Sequence, residues 1–231
     1  MGKTGVSAVW HDSNESWEFR ELPLPELEND AIQVKVEATS VCGSDLHIWR
    51  GDGIDTKKHP RDPFVFGHEM MGTVASMGNK VTTDSLRKPL KEGDRIAFSY
   101  FFPCAKCYNC IRGEFGACKF RLGRKPLEEW PVCNGGFAQY YYLRSPHYIF
   151  KLPDEISNAS AAPINCALAQ VYDALHLGGV MMGDNIVIQG AGGLGINATA
   201  IANELGASKI IVIDGQKPRL DLAVQCGATD I

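Results

Sequence analysis

Between positions 31 and 41 apolar and polar side chains alternate: Ile32, Val34, Val36 and Ala38 fall on one side, Gln33, Lys35 and Glu37 on the other. A period of two turns one face of an extended chain toward a core and the other toward water, so the pattern predicts a half-buried strand. Shorter strand-like runs follow at 72–76, 95–98, 137–143 and 149–152, divided by Gly78-Asn79, Gly93-Asp94, Gly135-Gly136 and Pro153-Asp154. Such pairs favour turns. The polar stretch 82–91 reads as a surface loop. This part of the chain is predicted to be β-rich.

After Pro153 the rhythm changes. Positions 157–177 read as one helix, with Ser157 as its N-cap and Gly178-Gly179 as its stop. An apolar strand at 185–189, a glycine turn, a helix at 196–205, a second strand at 209–214 and a helix at 218–226 complete the pattern. Strands apolar on both faces and alternating with helices predict a parallel sheet covered on both sides. The expected fold is therefore a β-rich domain over 1–154, followed from 155 to 231 by the start of a doubly wound α/β domain. Such domains carry about five or six strands. Only two precede Ile231, so the sequence is expected to be the N-terminal portion of a longer protein.

Composition narrows the function classes. The 231 residues are 45% hydrophobic and 22% charged, with a formal net charge of −4 and no long run of like charge. Neither a nucleic-acid partner nor a membrane surface is expected from that balance. No stretch approaches the roughly 20 apolar residues of a membrane span, and residues 1–6 lack the apolar core of a secretory signal. The expected location is the cytoplasm, with the eight cysteines reduced and free to act as ligands.

Half of those cysteines form one cluster. Cys104, Cys107, Cys110 and Cys118 follow the spacing C-x2-C-x2-C-x7-C, which lets a short loop at about 100–120 wrap four thiolates around one ion. That is the closed coordination of structural zinc; an iron–sulfur cluster is the nearest competitor. Elsewhere, Cys42-Gly43-Ser44-Asp45-Leu46-His47 follows a strand, Gly67-His68-Glu69 follows an apolar run, and Cys166 follows Pro163-Ile164-Asn165. Gly190-Ala191-Gly192-Gly193-Leu194-Gly195 sits between a predicted strand and a predicted helix, with Asp214 at the end of the next strand. Glycines there permit a tight turn and close approach of a pyrophosphate to the helix N-terminus.

Taken in this order the motifs make the chain resemble the zinc-dependent medium-chain alcohol dehydrogenases over its whole length. The resemblance implies a GroES-like catalytic domain at 1–154 and the first part of a Rossmann NAD-binding domain at 155–231. It implies two zinc ions per chain: a structural one on the four clustered cysteines, and a catalytic one held by Cys42, His68 and Cys166 with a fourth position open. It gives Ser44 and His47 the proton path, Asp45 the orientation of His68, and Glu69 a place behind the metal. NAD rests on Gly190, Gly192, Gly193 and Gly195. Asp214 at the adenosine ribose favours NAD over NADP, with Arg219 assisting. The implied reaction is hydride transfer between NAD(H) and a primary or secondary alcohol or polyol and its aldehyde or ketone, in a homodimer or homotetramer. Trp49 and Tyr100 are placed near the pocket, whereas Cys133 and Cys226 receive no role.

Plainer readings stand beside these. Cys42 and Cys166 could be buried thiols, His68 a satisfied polar residue, Ser44 an N-cap, His47 an exposed side chain, Glu69 half of an ion pair and Asp214 a turn residue. For the chain as a whole the alternative is a non-catalytic zinc-binding or interaction module of the same fold. A zinc-ribbon nucleic-acid binder is disfavoured by the acidity.

Overall fold

The computed structural model describes residues 3–12, 15–52, 63–121 and 135–231, so Cys133 lies outside the described residues. The chain divides into two compact units, Met1–Asn165 and Cys166–Ile231.

The first unit runs β1 (Thr4–Trp10), β2 (Glu18–Pro23), β3 (Ile32–Ser40), α1 (Gly43–Arg50), β4 (Phe64–Val65), β5 (Glu69–Met77), β6 (Arg95–Phe98), α2 (Tyr108–Ile111), β7 (Tyr140–Leu143), β8 (Ile149–Lys151) and α3 (Asn158–Ala161). Five strands form an antiparallel sheet in the order β7-β3-β5-β6-β8, and β2-β1-β4 form a smaller one. The alternating stretch is β3. Its Ile32 and Val34 bury completely against Ile96, Phe98, Leu143 and Ile149. The pairing of β3 with β5 carries register shifts at Gln33/Val34 and Val36/Ala38, and Gly72 lies opposite Val36 between them. There Gly72 has no substitute, because a Cβ on it would stand 2.2 Å from the Lys35 carbonyl oxygen.

The stretch 82–91 is a loop, but it is not confined to the surface. Val81 and Leu90 join the main core, and Asp84 is buried between them. Its carboxylate accepts N–H groups from Leu86 and Lys88 within the loop and from Lys151 on β8. A polar loop can be drawn into a core when one acceptor satisfies several of its backbone donors.

The single helix expected over 157–177 is broken. Ser157 does cap α3, its hydroxyl accepting from Ser160 N–H at 3.1 Å. After one turn the chain tightens into a 3-10 turn, Ala162–Asn165, passes Cys166 with φ −124° and ψ −83°, and restarts as α4 (Ala167–Leu177). Pro163 is the cause: it lacks the N–H an α-helix would use and its ring crowds the preceding turn.

The second unit continues with β9 (Asn185–Gln189), α5 (Gly193–Glu204), β10 (Lys209–Ile213) and α6 (Lys217–Gln225). The two strands pair in parallel, from Lys209 opposite Asn185 to Ile213 opposite Gln189. Ile210, Val212, Ala202 and Ala223 form the centre of its core. Among the described residues no helix is long and apolar enough to cross a membrane.

Candidate active site

Two clusters of potential ligands occur among the described residues. In the first, the sulfurs of Cys104, Cys107, Cys110 and Cys118 lie within 4.8 Å of one another. Individual separations are 3.5 Å for Cys107–Cys110 and 3.9 Å for both Cys104–Cys110 and Cys107–Cys118. A tetrahedral zinc with bonds of about 2.3 Å requires sulfurs about 3.8 Å apart. The loop therefore already has the dimensions of the closed site. Backbone N–H groups of Lys106 and Cys107 draw the Cys104 thiol down to about 6. Burial and the neighbouring thiols push Cys110 up to about 12. Thiols this crowded cannot all ionise without a cation among them, so the donor set fits a metal.

In the second cluster, Cys42, His68 and Glu69 of the first unit each bring a ligand atom within the same 4.8 Å. Local structure explains each position. Cys42 is the N-cap residue of α1, held extended at φ −81° and ψ 154°. Asp45, three residues on, accepts the Cys42 N–H through Oδ2 at 3.0 Å, while its Oδ1 stands 3.3 Å from His68 Nδ1. One buried carboxylate thus fixes the backbone of one ligand and the ring of another. With Nδ1 engaged, Nε2 is the nitrogen left for an ion. Hydrogen bonding to Asp45 raises the His68 pKa against the opposing effect of burial. Glu69 is buried at the head of β5, and Ser40, directly opposite on β3, donates its hydroxyl to Glu69 Oε2 at 2.6 Å. Cys166 is the residue after the 3-10 turn, whose last member, Asn165, bonds to the backbone of β5 and β6. A thiolate from the start of α1 with an imidazole and a carboxylate from the head of β5 suit a borderline cation such as zinc.

Ser44 and His47 occupy α1 three residues apart and share one face of it. Ser44 Oγ lies 3.4 Å from His68 Nε2, at the edge of the cluster. His47 is mostly exposed, with Nδ1 2.9 Å from Asp52 Oδ2. The Tyr100 ring stands 5.0 Å from that of His68. Trp49, by contrast, packs on the Trp10, Phe64 and Phe66 core.

The glycine turn lies wholly within the second unit. Gly190 has φ +94°, and a Cβ on Gly195 would lie 1.8 Å from the Gly190 carbonyl oxygen; additions at Gly192 and Gly193 would meet nothing. The turn is thus closed on its inner side and open on its outer one. An open groove of about 500 Å³, bounded by Ile188, Gly190, Gly193 and Ala198, marks that outer side. There the N-terminus of α5 presents unpaired N–H groups, as a pyrophosphate requires. Asp214 is partly committed to the fold: Oδ2 accepts from Ala191 N–H at 2.7 Å and Oδ1 from Gln216 N–H at 2.8 Å. These bonds, Ala191 first, hold its carboxyl below the usual range. Arg219 is 3.9 Å from Asp214 Oδ2.

Sequence reasoning missed Ser40, Asn165 and Asp84. Each acts through a partner 29 or more residues away, and hydrophobic periodicity carries no information about such pairs. The sole local hint was at Asp84, followed by Ser85 in a turn-like context.

The chain is 35% identical to D-xylulose reductase A of Aspergillus niger over 91% of its length and 56% of the relative's. It is likewise 35% identical to L-threonine 3-dehydrogenase of Bacillus licheniformis, over 92% of this chain and 57% of that protein. The crystal structure of an alcohol dehydrogenase from Thermotoga maritima superposes with a TM-score of 0.88 at 30% identity, covering 99% of this chain and 62% of that one. The chain therefore spans little more than half the length of the curated relatives it matches. A family model for the alcohol dehydrogenase GroES-like domain matches residues 28–154, more than half of the sequence, and the protein belongs to that family.

Proposed function

We propose that this chain carries the catalytic-metal site and the first part of the nucleotide site of a zinc-dependent, NAD-linked dehydrogenase for a secondary alcohol or polyol. In that reading the catalytic domain spans 1–154 and the nucleotide-binding domain starts at 155. The observation that carries it is the gathering of Cys42, His68 and Glu69 within the first unit, together with a separate closed set of four cysteines, Cys166 being added as the third ligand on the family's pattern. One donor set is complete; the other, counted as two cysteines and a histidine, leaves a position for substrate. When bound, zinc supplies Lewis acidity toward a hydroxyl or carbonyl oxygen, and the nicotinamide supplies the hydride acceptor or donor.

The chain's own residues do the rest. Asp45 fixes the His68 ring and the Cys42 backbone, so the donor atoms do not reorganise during turnover. Ser44 Oγ, at the edge of the cluster, accepts the proton leaving a substrate hydroxyl as it gives up its own, and His47, exposed on the same helix face, is the end of that relay and passes the proton to solvent. The glycine turn holds the pyrophosphate of the dinucleotide. Asp214 repels a 2′-phosphate, which favours NAD over NADP. The names of the two curated relatives point to a sugar, polyol or hydroxy amino acid rather than a simple alcohol. In the assembled enzyme a homodimer or homotetramer is proposed.

Metal analysis and an activity screen test this reading. The chain is expected to hold two zinc ions, and the complete protein to oxidise at least one member of a xylitol, sorbitol, threonine and ethanol panel with NAD faster than with NADP. Cys42→Ser should leave one zinc and no turnover. Two zinc ions without turnover on any substrate would instead support a non-catalytic metal-binding module, and a single zinc in the unaltered chain would refute the catalytic assignment.

A further inference from the structure

We propose that Asp52 is a positioning residue for the proton path: it holds the neutral His47 ring in the Nδ1–H tautomer and so keeps Nε2 open as the acceptor. This rests on reading His47 as the solvent end of the relay from Ser44. Both residues belong to the first unit, one on helix α1 and the other in its C-terminal cap.

The cap places Asp52 before its side chain makes any contact. Gly51 ends α1 in the left-handed region, at φ 77° and ψ 21°. Its N–H donates to the Ile48 carbonyl at 3.1 Å, and the N–H of Asp52 reaches back to the His47 carbonyl at 2.9 Å. This pair of bonds is the Schellman arrangement, which folds the chain back over the last helical turn. Asp52 therefore returns to the residue whose ring it meets, with Oδ2 2.9 Å from His47 Nδ1. Backbone and side chain bind the same partner, so less side-chain freedom remains to be lost in forming the contact. Two exposed groups meeting only through long, free side chains would lack that advantage.

The chemistry of the contact is one-sided. An ionised carboxylate only accepts hydrogen bonds, so the nitrogen facing it must carry a hydrogen. Neutral imidazole has one N–H and one acceptor nitrogen; with the hydrogen at Nδ1, the acceptor is Nε2. Free neutral histidine in water prefers the opposite tautomer, with the hydrogen on Nε2. A ring in that form would offer the relay a donor where it needs an acceptor. Among the described residues Asp52 is the one ionisable group bonded to His47, and Nε2 has no partner. In the proposed path Nε2 takes the proton and later yields it to water. Nδ1–H stays on Asp52 throughout, and the carboxylate remains ionised.

The test reads tautomer and turnover separately. In the isotope-labelled full chain, at an alkaline pH where imidazole is neutral, long-range proton–nitrogen NMR spectra distinguish the two tautomers. The signal lost in His47→Gln identifies His47. Wild type is expected to show His47 mainly as Nδ1–H and Asp52→Ala mainly as Nε2–H, with the other histidines and the amides of β3 and β5 unchanged. In the complete protein Asp52→Ala should lower kcat about fivefold, the scale that an exposed charged contact supports. KM for the alcohol should not change, and the solvent deuterium isotope effect on kcat should grow. Asp52→Asn, whose amide oxygen can still accept, should fall between the two. The same tautomer in wild type and Asp52→Ala would overturn the proposal. So would a switched tautomer with wild-type kcat and isotope effect, since Asp52 would then serve only the end of the helix. Wild-type turnover in His47→Gln would instead refute the relay itself, whichever tautomer the ring adopts.

Discussion

Single carboxylates organise much of this chain, and each does so by accepting backbone N–H groups. Asp45 serves Cys42 and faces His68; Asp214 serves Ala191 and Gln216; Asp84 serves Leu86, Lys88 and Lys151. Asp84 offers the clearest energetic test, being 4% exposed and bonded to three backbone N–H groups. Burial alone would raise its pKa, but the backbone donors, Lys151 first, outweigh it and hold the carboxyl below the usual range. Asp84→Ala strands three donors and is expected to cost about 2–3 kcal/mol of stability, read as a lower midpoint in urea. Because the folded pKa is depressed, the carboxylate's contribution is complete above the unfolded value, about 4, and disappears as pH falls through the folded value. The gap between wild type and Asp84→Ala should therefore narrow below about pH 4. A gap that stays constant down to acid unfolding would show that the charge on Asp84 is not what holds the loop.

At the scale of elements, regular patterns were legible and their interruptions were not. The period-two run gave β3, and the apolar runs gave β9 and β10; the covering expected on both faces of those two strands is incomplete among the described residues, with Val187 62% and Ile213 54% exposed. The break between α3 and α4 was written in the sequence as Pro163, yet the apolar content on both sides of it masked the stop. The tetracysteine spacing was readable because all four ligands are local. Cys42, His68 and Cys166 are scattered along the chain, and only the resemblance to a family grouped them. The glycine turn is legible in a further sense, since its members divide by steric role. Gly195→Ala sets a Cβ against the Gly190 carbonyl and should destabilise the chain by about 2–3 kcal/mol. Gly193→Ala, where an added Cβ meets nothing, should leave the melting temperature unchanged and weaken NAD binding, because the methyl enters the space a pyrophosphate would fill. Calorimetric binding and thermal melts on the two variants separate these outcomes. Equal losses of stability would contradict the division of roles.

For the whole molecule the main question is which parts stand on apolar burial and which on a metal. The five-stranded sheet has a continuous core of Ile32, Val34, Ile96, Phe98, Leu143 and Ile149, and needs no ion to explain it. The tetracysteine loop is different. Its only regular structure is α2 and one 3-10 turn, Phe115–Ala117, and its large side chains face outward, with Tyr108 73%, Ile111 77% and Phe120 68% exposed. Cys110 and Cys118 are buried, so the interior of the loop is made of sulfur rather than hydrocarbon. Structural zinc in small peptides contributes on the order of 10 kcal/mol of apparent binding energy, which here would serve as the loop's folding energy. Chelation should therefore act locally. After zinc is stripped, amide exchange is expected to accelerate across 104–118 while β3, β5 and β6 keep their protection, and added zinc should restore the loop. The far-UV circular dichroism should hardly move, because so little regular structure lies in that segment. If exchange at 104–118 is unaffected by metal removal, the loop folds on its own contacts and zinc is not its folding energy. If the whole first unit opens at once, the sheet and the loop form one cooperative unit, and zinc stabilises the domain rather than its lobe.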